Sequence, residues 1–323
     1  MITRLLTDTA EAARILEGGG LVAIPTETVF GLAARADDDG AIKRIFQAKG
    51  RPQDNPLIVH IAEEGQLAAL CTSVPEYARR LAASWWPGPL TLVLPAADQV
   101  SRTATAGLDT VGIRIPDHPE TRDILRKVGL PIAAPSANRS GRPSPTTWEA
   151  VREDLDGRID AVFKSGPTAV GLESTVVDCT CDAPIILRPG AISLTDIQAI
   201  HPEARHRDPD EAVGRSPGTR YRHYQPEAIV RWVGPFDQAT TDAASEPGEP
   251  SDRGIKKGYI GLNEPPGDYA RLVIATSLEA YAHRLFHFFR ECEQEGIMEI
   301  HCERVPLKGI GMALYDRISR AAE

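Results

Sequence analysis

This sequence predicts an α/β or α+β fold built on a mixed sheet, followed by a second, smaller α/β unit. Three observations carry that expectation. Strand-like and helix-like segments alternate through roughly the first 200 of its 323 residues. The strand-like segments are near-continuous apolar runs such as PLIVHI, which suit strands covered on both faces. After a break in pattern near His201, a β-α-β-α order closes the chain.

The elements follow in order. Thr7 to Glu17 reads as a helix capped by Thr7, filled with alanine and stopped by Gly18, Gly19 and Gly20. Leu21 to Ile24 is a short strand ended by Pro25. Ala41 to Ala48 is a helix with Ile42, Ile45 and Phe46 on one face. Pro56 to Ile61 is a strand and Pro75 to Ala83 a helix. Leu90 to Leu94, Val111 to Ile115, Ile132 to Ala134, Ala161 to Lys164, Thr175 to Asp178 and Ile185 to Leu187 read as strands. From His201 to Ala228 periodicity is lost, and Pro, Arg, His and Tyr accumulate. Composition makes this a linker, although a passive spacer favours Gly, Ser and Pro. Ile229 to Val233 is a strand, and Asp237 to Lys257 is low in complexity and reads as a disordered loop. Tyr259 to Leu262 and Leu272 to Ala275 are strands. A helix then opens on a Thr276/Glu279 capping box, buries Tyr281, Leu285, Phe288, Phe289 and Cys292, and ends at Gly296. Ile297 to His301 is a strand and Gly311 to Ala321 a helix. The expected division is a domain over 1–203, a linker over 204–228 and a small Rossmann-like domain over 229–323.

Composition narrows the function. The net charge of −9 argues against bulk nucleic-acid binding, although a local basic cleft remains compatible with it. Five scattered cysteines without framework spacing suit a reducing compartment. No run of apolar residues is long enough for a membrane span, and the first residues lack the features of a secretory signal, so the cytoplasm is the expected location. Phosphate-loop, dinucleotide-fingerprint, nucleophile-elbow and zinc-protease motifs are all missing. Any nucleotide must be held another way.

Five polar constellations stand at strand ends, where α/β sheets carry ligand loops. PTETVFGL follows the strand ending at Ile24; Thr26 or Thr28 there either caps a helix or meets a ligand. Lys49-Gly50-Arg51, followed by Asn55, places two cations beside a glycine, an arrangement that suits phosphate oxygens as well as a helix C-terminus. Arg114 lies between two isoleucines in a strand expected to be buried. It needs an anionic partner, either a protein carboxylate such as Asp117 or a substrate. APSAN offers Ser136 and Asn138 on alternate positions beside small residues. Ser174 opens one strand and Arg188 closes the next.

In the order PTETVFGL, KGRPQDNPLIVHI, TVGIRIP, APSAN, ESTVVD and ILRPG, these segments resemble the YrdC-like threonylcarbamoyl-AMP synthases over roughly Leu5 to Leu194. SPGTRYRHYQP resembles the linker of the family's longer, two-domain branch, and VPLKGIGMALYDRISRAA the end of its second domain. The resemblance implies a twisted mixed sheet with flanking helices. It implies a nucleotidyltransferase that converts L-threonine, bicarbonate or CO2, and ATP into threonylcarbamoyl-AMP and pyrophosphate for tRNA modification. Lys49 and Arg51 would be catalytic. They would bind ATP together with Asn55, Thr110, Ser136, Asn138, Ser144, Arg188 and Tyr224. Thr26, His60, Arg114, Ala134 and Ser174 would bind threonine. Mg2+ would come with the ATP phosphates rather than on protein ligands, and a tRNA threonylcarbamoyl-transferase complex would act downstream, with weak tRNA binding at most. Tyr224 and the adjoining Arg220 to His223 would form a lid. Two alternatives stand beside this reading: a non-catalytic RNA-binding module and a carbamoyl-adenylating enzyme. Phe30 departs from the family's more usual Tyr, and the acidic Asp237 to Asp252 stretch has no counterpart in it.

Overall fold

The computed structural model describes residues 2–208, 224–235 and 255–322. The lid residues Arg220 to His223 and the acidic Asp237 to Asp252 stretch lie outside these. Among the described residues, eleven strands form one mixed sheet. Across it run Arg4–Leu6, Ala161–Phe163, Val22–Ile24, Gly31–Arg35, Ile132–Ala133, Ile58–His60, Thr110–Arg114, Leu90–Pro95, Thr175–Asp178, Ile185–Arg188 and Arg205–His206. Parallel and antiparallel pairings are interspersed. Arg205–His206 pairs with the strand Ile185–Arg188, so the large sheet extends into the segment read as linker.

The apolar runs are covered on both sides, as expected. Ala23, Leu32, Ala34 and Ala133 enter one core with the helices Asp39–Lys49 and Glu76–Trp85. Their chain neighbours Val22, Ile24, Ala33 and Ile132 enter another with Thr9–Glu17 and Pro119–Val128. Successive strand residues point to opposite faces, and each face meets its own helices.

The helix ends explain where the site loops begin. Asp8, not Thr7, caps the first helix: its carboxylate accepts from Ala10 N at 2.8 Å, and negative charge there also suits the helix dipole. The helix Asp39–Lys49 ends at Gly50 in the left-handed region, φ 62°, and Arg51 N then donates to Phe46 O at 2.9 Å. This turn places Lys49 and Arg51 beside the neighbouring strand ends.

The second sheet is wholly parallel in the order Ile229–Val233, Glu299–Glu303, Lys257–Gly261 and Arg271–Ile274. The helices Leu278–Gln294 and Gly311–Ala322 pack on it. Ser277, rather than Thr276, caps the first of these, accepting from Ala280 N at 3.1 Å. The N-cap-to-N3 spacing is therefore met one residue later than expected. Tyr281, Leu285, Phe288, Phe289 and Cys292 are all buried, as the periodicity requires.

Candidate active site

A cleft opens at the strand ends of the large sheet. Thr26, Arg51, His60, Arg114, Ala134, Ser136, Ser174, Arg188 and Tyr224 all line it. Nine expected site residues from across the sequence thus meet in one place.

The phosphate-side candidates form a connected cradle. Lys49 Nζ donates to the carbonyls of Ser136 and Asn138, at 2.5 Å each. Ser136 Oγ donates to Asn138 Oδ1 at 2.6 Å, and Asn138 Nδ2 donates to the carbonyls of Arg139 and Arg142. Arg51 donates to the Asn55 and Pro56 carbonyls. Arg188 reaches the Ser174 carbonyl through Nε and Nη2, at 3.1 and 3.0 Å. A side chain on Gly190 would collide with the backbone between Ser174 and Thr175, so glycine lets the Arg188 strand end close against Ser174.

Electrostatics favour an anion here. Among the described residues, neither Lys49 nor Arg51 pairs with a carboxylate; both donate to neutral carbonyls. Burial pushes the Lys49 ammonium well below its ordinary pKa, and Arg51 pushes it further down. Burial lowers the Arg51 guanidinium to about 10 and lowers Arg188 as well. Cations held in this way gain from any anion that reaches them.

The other wall is neutral or already paired. Thr26 Oγ1 accepts from Val29 N at 3.2 Å and donates to Val29 O at 2.6 Å, so it also serves its own turn. Ser174 Oγ contacts Thr91 Oγ1 at 2.8 Å. Arg114 finds its carboxylate in Glu27, not in Asp117. Asp117 instead donates its backbone N–H to Glu27 Oε2 at 3.0 Å. Arg114 also donates to Thr28 Oγ1 at 2.9 Å and Gly88 O at 3.0 Å. Its two terminal nitrogens are therefore anchored on the PTETVFGL loop, and Nε on the Gly88 carbonyl.

His60 is buried, with Nδ1 lacking a hydrogen-bond partner among the described residues. Burial, then the Arg114 charge, lowers its pKa to about 3. An unfolded histidine titrates near 6.5, so between about pH 6.5 and 3 the unfolded chain binds the extra proton and stability falls as pH falls. His60→Gln is expected to lose less stability than the parent between about pH 7 and 4 in denaturant titrations. Equal losses would show that the imidazole is not held neutral.

Five expected residues stand outside the cleft lining, among them Asn138, whose contacts are given above. Lys49 lies behind it on the carbonyls just described. Ser144 donates to Glu173 Oε1 at 2.5 Å. Asn55 is buried, its side-chain amide lacking any partner among the described residues. Thr110 starts the strand that Arg114 ends, pairs with Pro95, and stands roughly 13 Å along the strand from Arg114. The structure adds Glu27, Thr28, Glu173 and, from the C-terminal helix, Arg317, whose Nε donates to Glu173 Oε2 at 2.8 Å. Glu27, Thr28 and Glu173 sit inside motifs already singled out; Arg317 sits inside VPLKGIGMALYDRISRAA, but nothing local ties it to the site.

Tyr224 joins both halves. It has φ 68°, stacks on Phe286 at 5.2 Å between ring centroids, and has Arg317 5.4 Å from its ring centre. Burial raises its phenol to about 12, so it stays protonated. Among the described residues, no group of three His, Cys, Asp or Glu could hold a metal ion, and no helix is long and apolar enough to cross a membrane.

Residues 14–190 match the Sua5/YciO/YrdC family model, described as "Telomere recombination". Residues 192–323 match "Threonylcarbamoyl-AMP synthase, C-terminal domain". A threonylcarbamoyl-AMP synthase of Pyrococcus abyssi is 43% identical over 318 residues, covering 96% of this chain and 93% of the relative. One of Bacillus subtilis is 42% identical over 323 residues, covering 97% and 92%. The crystal structure of P. abyssi Sua5 complexed with L-threonine superposes with a TM-score of 0.89 at 40% identity, covering 100% of this chain and 98% of that one. Two family models that together span nearly the whole sequence, and relatives alike from end to end, place this chain in the threonylcarbamoyl-AMP synthase family, in the branch that carries the C-terminal domain.

Proposed function

We propose that this chain catalyses the reaction of L-threonine, bicarbonate or CO2, and ATP to give threonylcarbamoyl-AMP and pyrophosphate. The observation that carries the reading is the convergence of Arg51, Arg188 and Ser136 with His60, Arg114 and Ser174 on one cleft, with Lys49 directly behind. Lys49, Arg51, Ser136, Asn138, Ser144, Arg188 and Tyr224, with Asn55 and Thr110, are assigned to ATP. Thr26, His60, Arg114, Ala134 and Ser174 are assigned to threonine.

The chemistry needs no protein nucleophile. The neutral threonine amine attacks CO2, supplied directly or by dehydration of bicarbonate, and loses a proton to water. The resulting carbamate oxygen attacks the α-phosphorus in line as the α–β bridging P–O bond breaks and pyrophosphate leaves. What the protein contributes is placement, worth roughly 7–11 kcal/mol, and fixed positive charge. His60, kept neutral by burial, adds no positive charge to the proposed threonine pocket. Mg2+ would accompany the triphosphate, since the described cleft offers no carboxylate set of its own. The adenylate would pass to a tRNA threonylcarbamoyl-transferase complex in the cytoplasm.

Incubation with ATP, threonine and labelled bicarbonate tests the reading. Label should enter an adenylate, with pyrophosphate released only when threonine is present. Pyrophosphate release indifferent to threonine would sink it. Salt-dependent RNA binding without ATP turnover would favour an RNA-binding module instead.

A further inference from the structure

The C-terminal helix reaches the cleft through one side chain. Arg317 is fully buried, and its guanidinium makes contacts in several directions. Nε donates to Glu173 Oε2 at 2.8 Å, Nη2 to Pro189 O at 3.1 Å and Nη1 to Asp316 Oδ2, while the group faces the Tyr224 ring. Glu173 precedes Ser174, and its other oxygen accepts from Ser144; Pro189 follows Arg188. Outside its own helix, each segment that Arg317 touches thus adjoins or contains an assigned ligand residue. Arg317 itself does not line the cleft.

Charge sharpens the point. Glu173 is the one carboxylate among the described residues lining the cleft, on the side where the triphosphate is assigned. An unneutralised carboxylate there would repel phosphate. Burial would raise the Glu173 pKa, but Arg317 and Arg188 outweigh it and hold the pKa below the ordinary value, so the charge persists and must be balanced.

We propose that Arg317 is a positioning residue for the nucleotide site: it neutralises Glu173 and fixes the Ser144, Arg188 and Tyr224 segments against one another. The C-terminal domain thereby completes a site whose ligand-contacting residues lie before it in sequence. This inference rests on the ATP assignment above.

The test uses the full chain, with ATP and threonine affinities measured separately by calorimetry. Arg317→Met should weaken ATP binding roughly 10- to 100-fold, the scale of losses when a supporting residue is removed, and leave threonine binding unchanged. Adding Glu173→Gln should restore much of the ATP affinity, because the stranded charge is gone. A merely structural arginine would lower both affinities together, with no rescue. Unchanged ATP affinity in folded Arg317→Met, or no recovery in the double variant, overturns the proposal. Should Arg317→Met not fold, Arg317→Lys carries the test. One ammonium cannot span Glu173 and Pro189 together, so KM for ATP must rise more than KM for threonine; equal shifts overturn the proposal. A parent chain inert toward ATP would instead sink the ATP assignment itself.

Discussion

Lys49→Ala is expected to abolish detectable labelled adenylate, with a loss in kcat/KM for pyrophosphate release of at least roughly 10²–10³-fold. That is the scale for removing one fixed charge donor from a transition state. The side chain emerges from the last turn of the helix Asp39–Lys49 and is held by the Ser136 and Asn138 carbonyls. It therefore positions the APSAN loop as well as carrying charge. Lys49→Met separates the two contributions, since it keeps the aliphatic volume and removes the ammonium. Losing the donor leaves two carbonyls under-satisfied, at about 1–3 kcal/mol each, whereas the burial cost of the charge disappears. Near-parental stability with lost turnover is the expected pattern. Equal product from parent and Lys49→Ala would remove the residue from its assigned role.

Asp154→Ala should have the largest effect on stability. The carboxylate is buried on the helix Trp148–Leu155. It accepts from Arg290 Nη2 at 2.7 Å, from Arg142 Nη1 at 2.9 Å and from Arg139 N at 3.3 Å. Arg290 belongs to the helix Leu278–Gln294 and also donates to Pro143 O, so one carboxylate joins the two sheets' helices. Removing it leaves the buried Arg290 guanidinium with only the partly exposed Glu153, at 3.5 Å, as counter-charge, at a cost of up to about 3–5 kcal/mol. The melting temperature should fall at roughly 2–4 °C per kcal/mol. Calorimetry that showed a loss below about 1 kcal/mol would mean that water replaces the carboxylate, and the bridge would count for little.

Much of this was legible in the sequence, for definite reasons. Buried strands such as Ile58–His60 and Thr175–Asp178 announce themselves because β-branched runs have few other uses. Gly31–Arg35 was hidden because Gly-Leu-Ala-Ala-Arg has little β-propensity; pairing on both sides makes it a strand. Pro119–Val128 carries a readable signal, with Pro119 at its start, Ile124, Leu125 and Val128 on one face and Gly129 at its end. The short helix Leu194–Gln198 falls below the length at which periodicity speaks. At the site, residue types pointed to Arg114 but not to its partner. Asp117 is near in sequence, whereas the fold brings Glu27 from 87 positions away. The role of Glu173 was equally hidden, because its counter-charge comes from a helix 144 positions further on.

The cleft draws its walls from segments running from Thr26 to Tyr224, set on strands that are not neighbours in the chain. Occupancy and folding are therefore one equilibrium, since no fragment of the sheet can present those groups together. A nucleotide at 100 times its dissociation constant adds about 2.7 kcal/mol to the stability of the whole molecule. The metabolic supply of substrate then governs how long the enzyme survives in its native form as well as how fast it turns over.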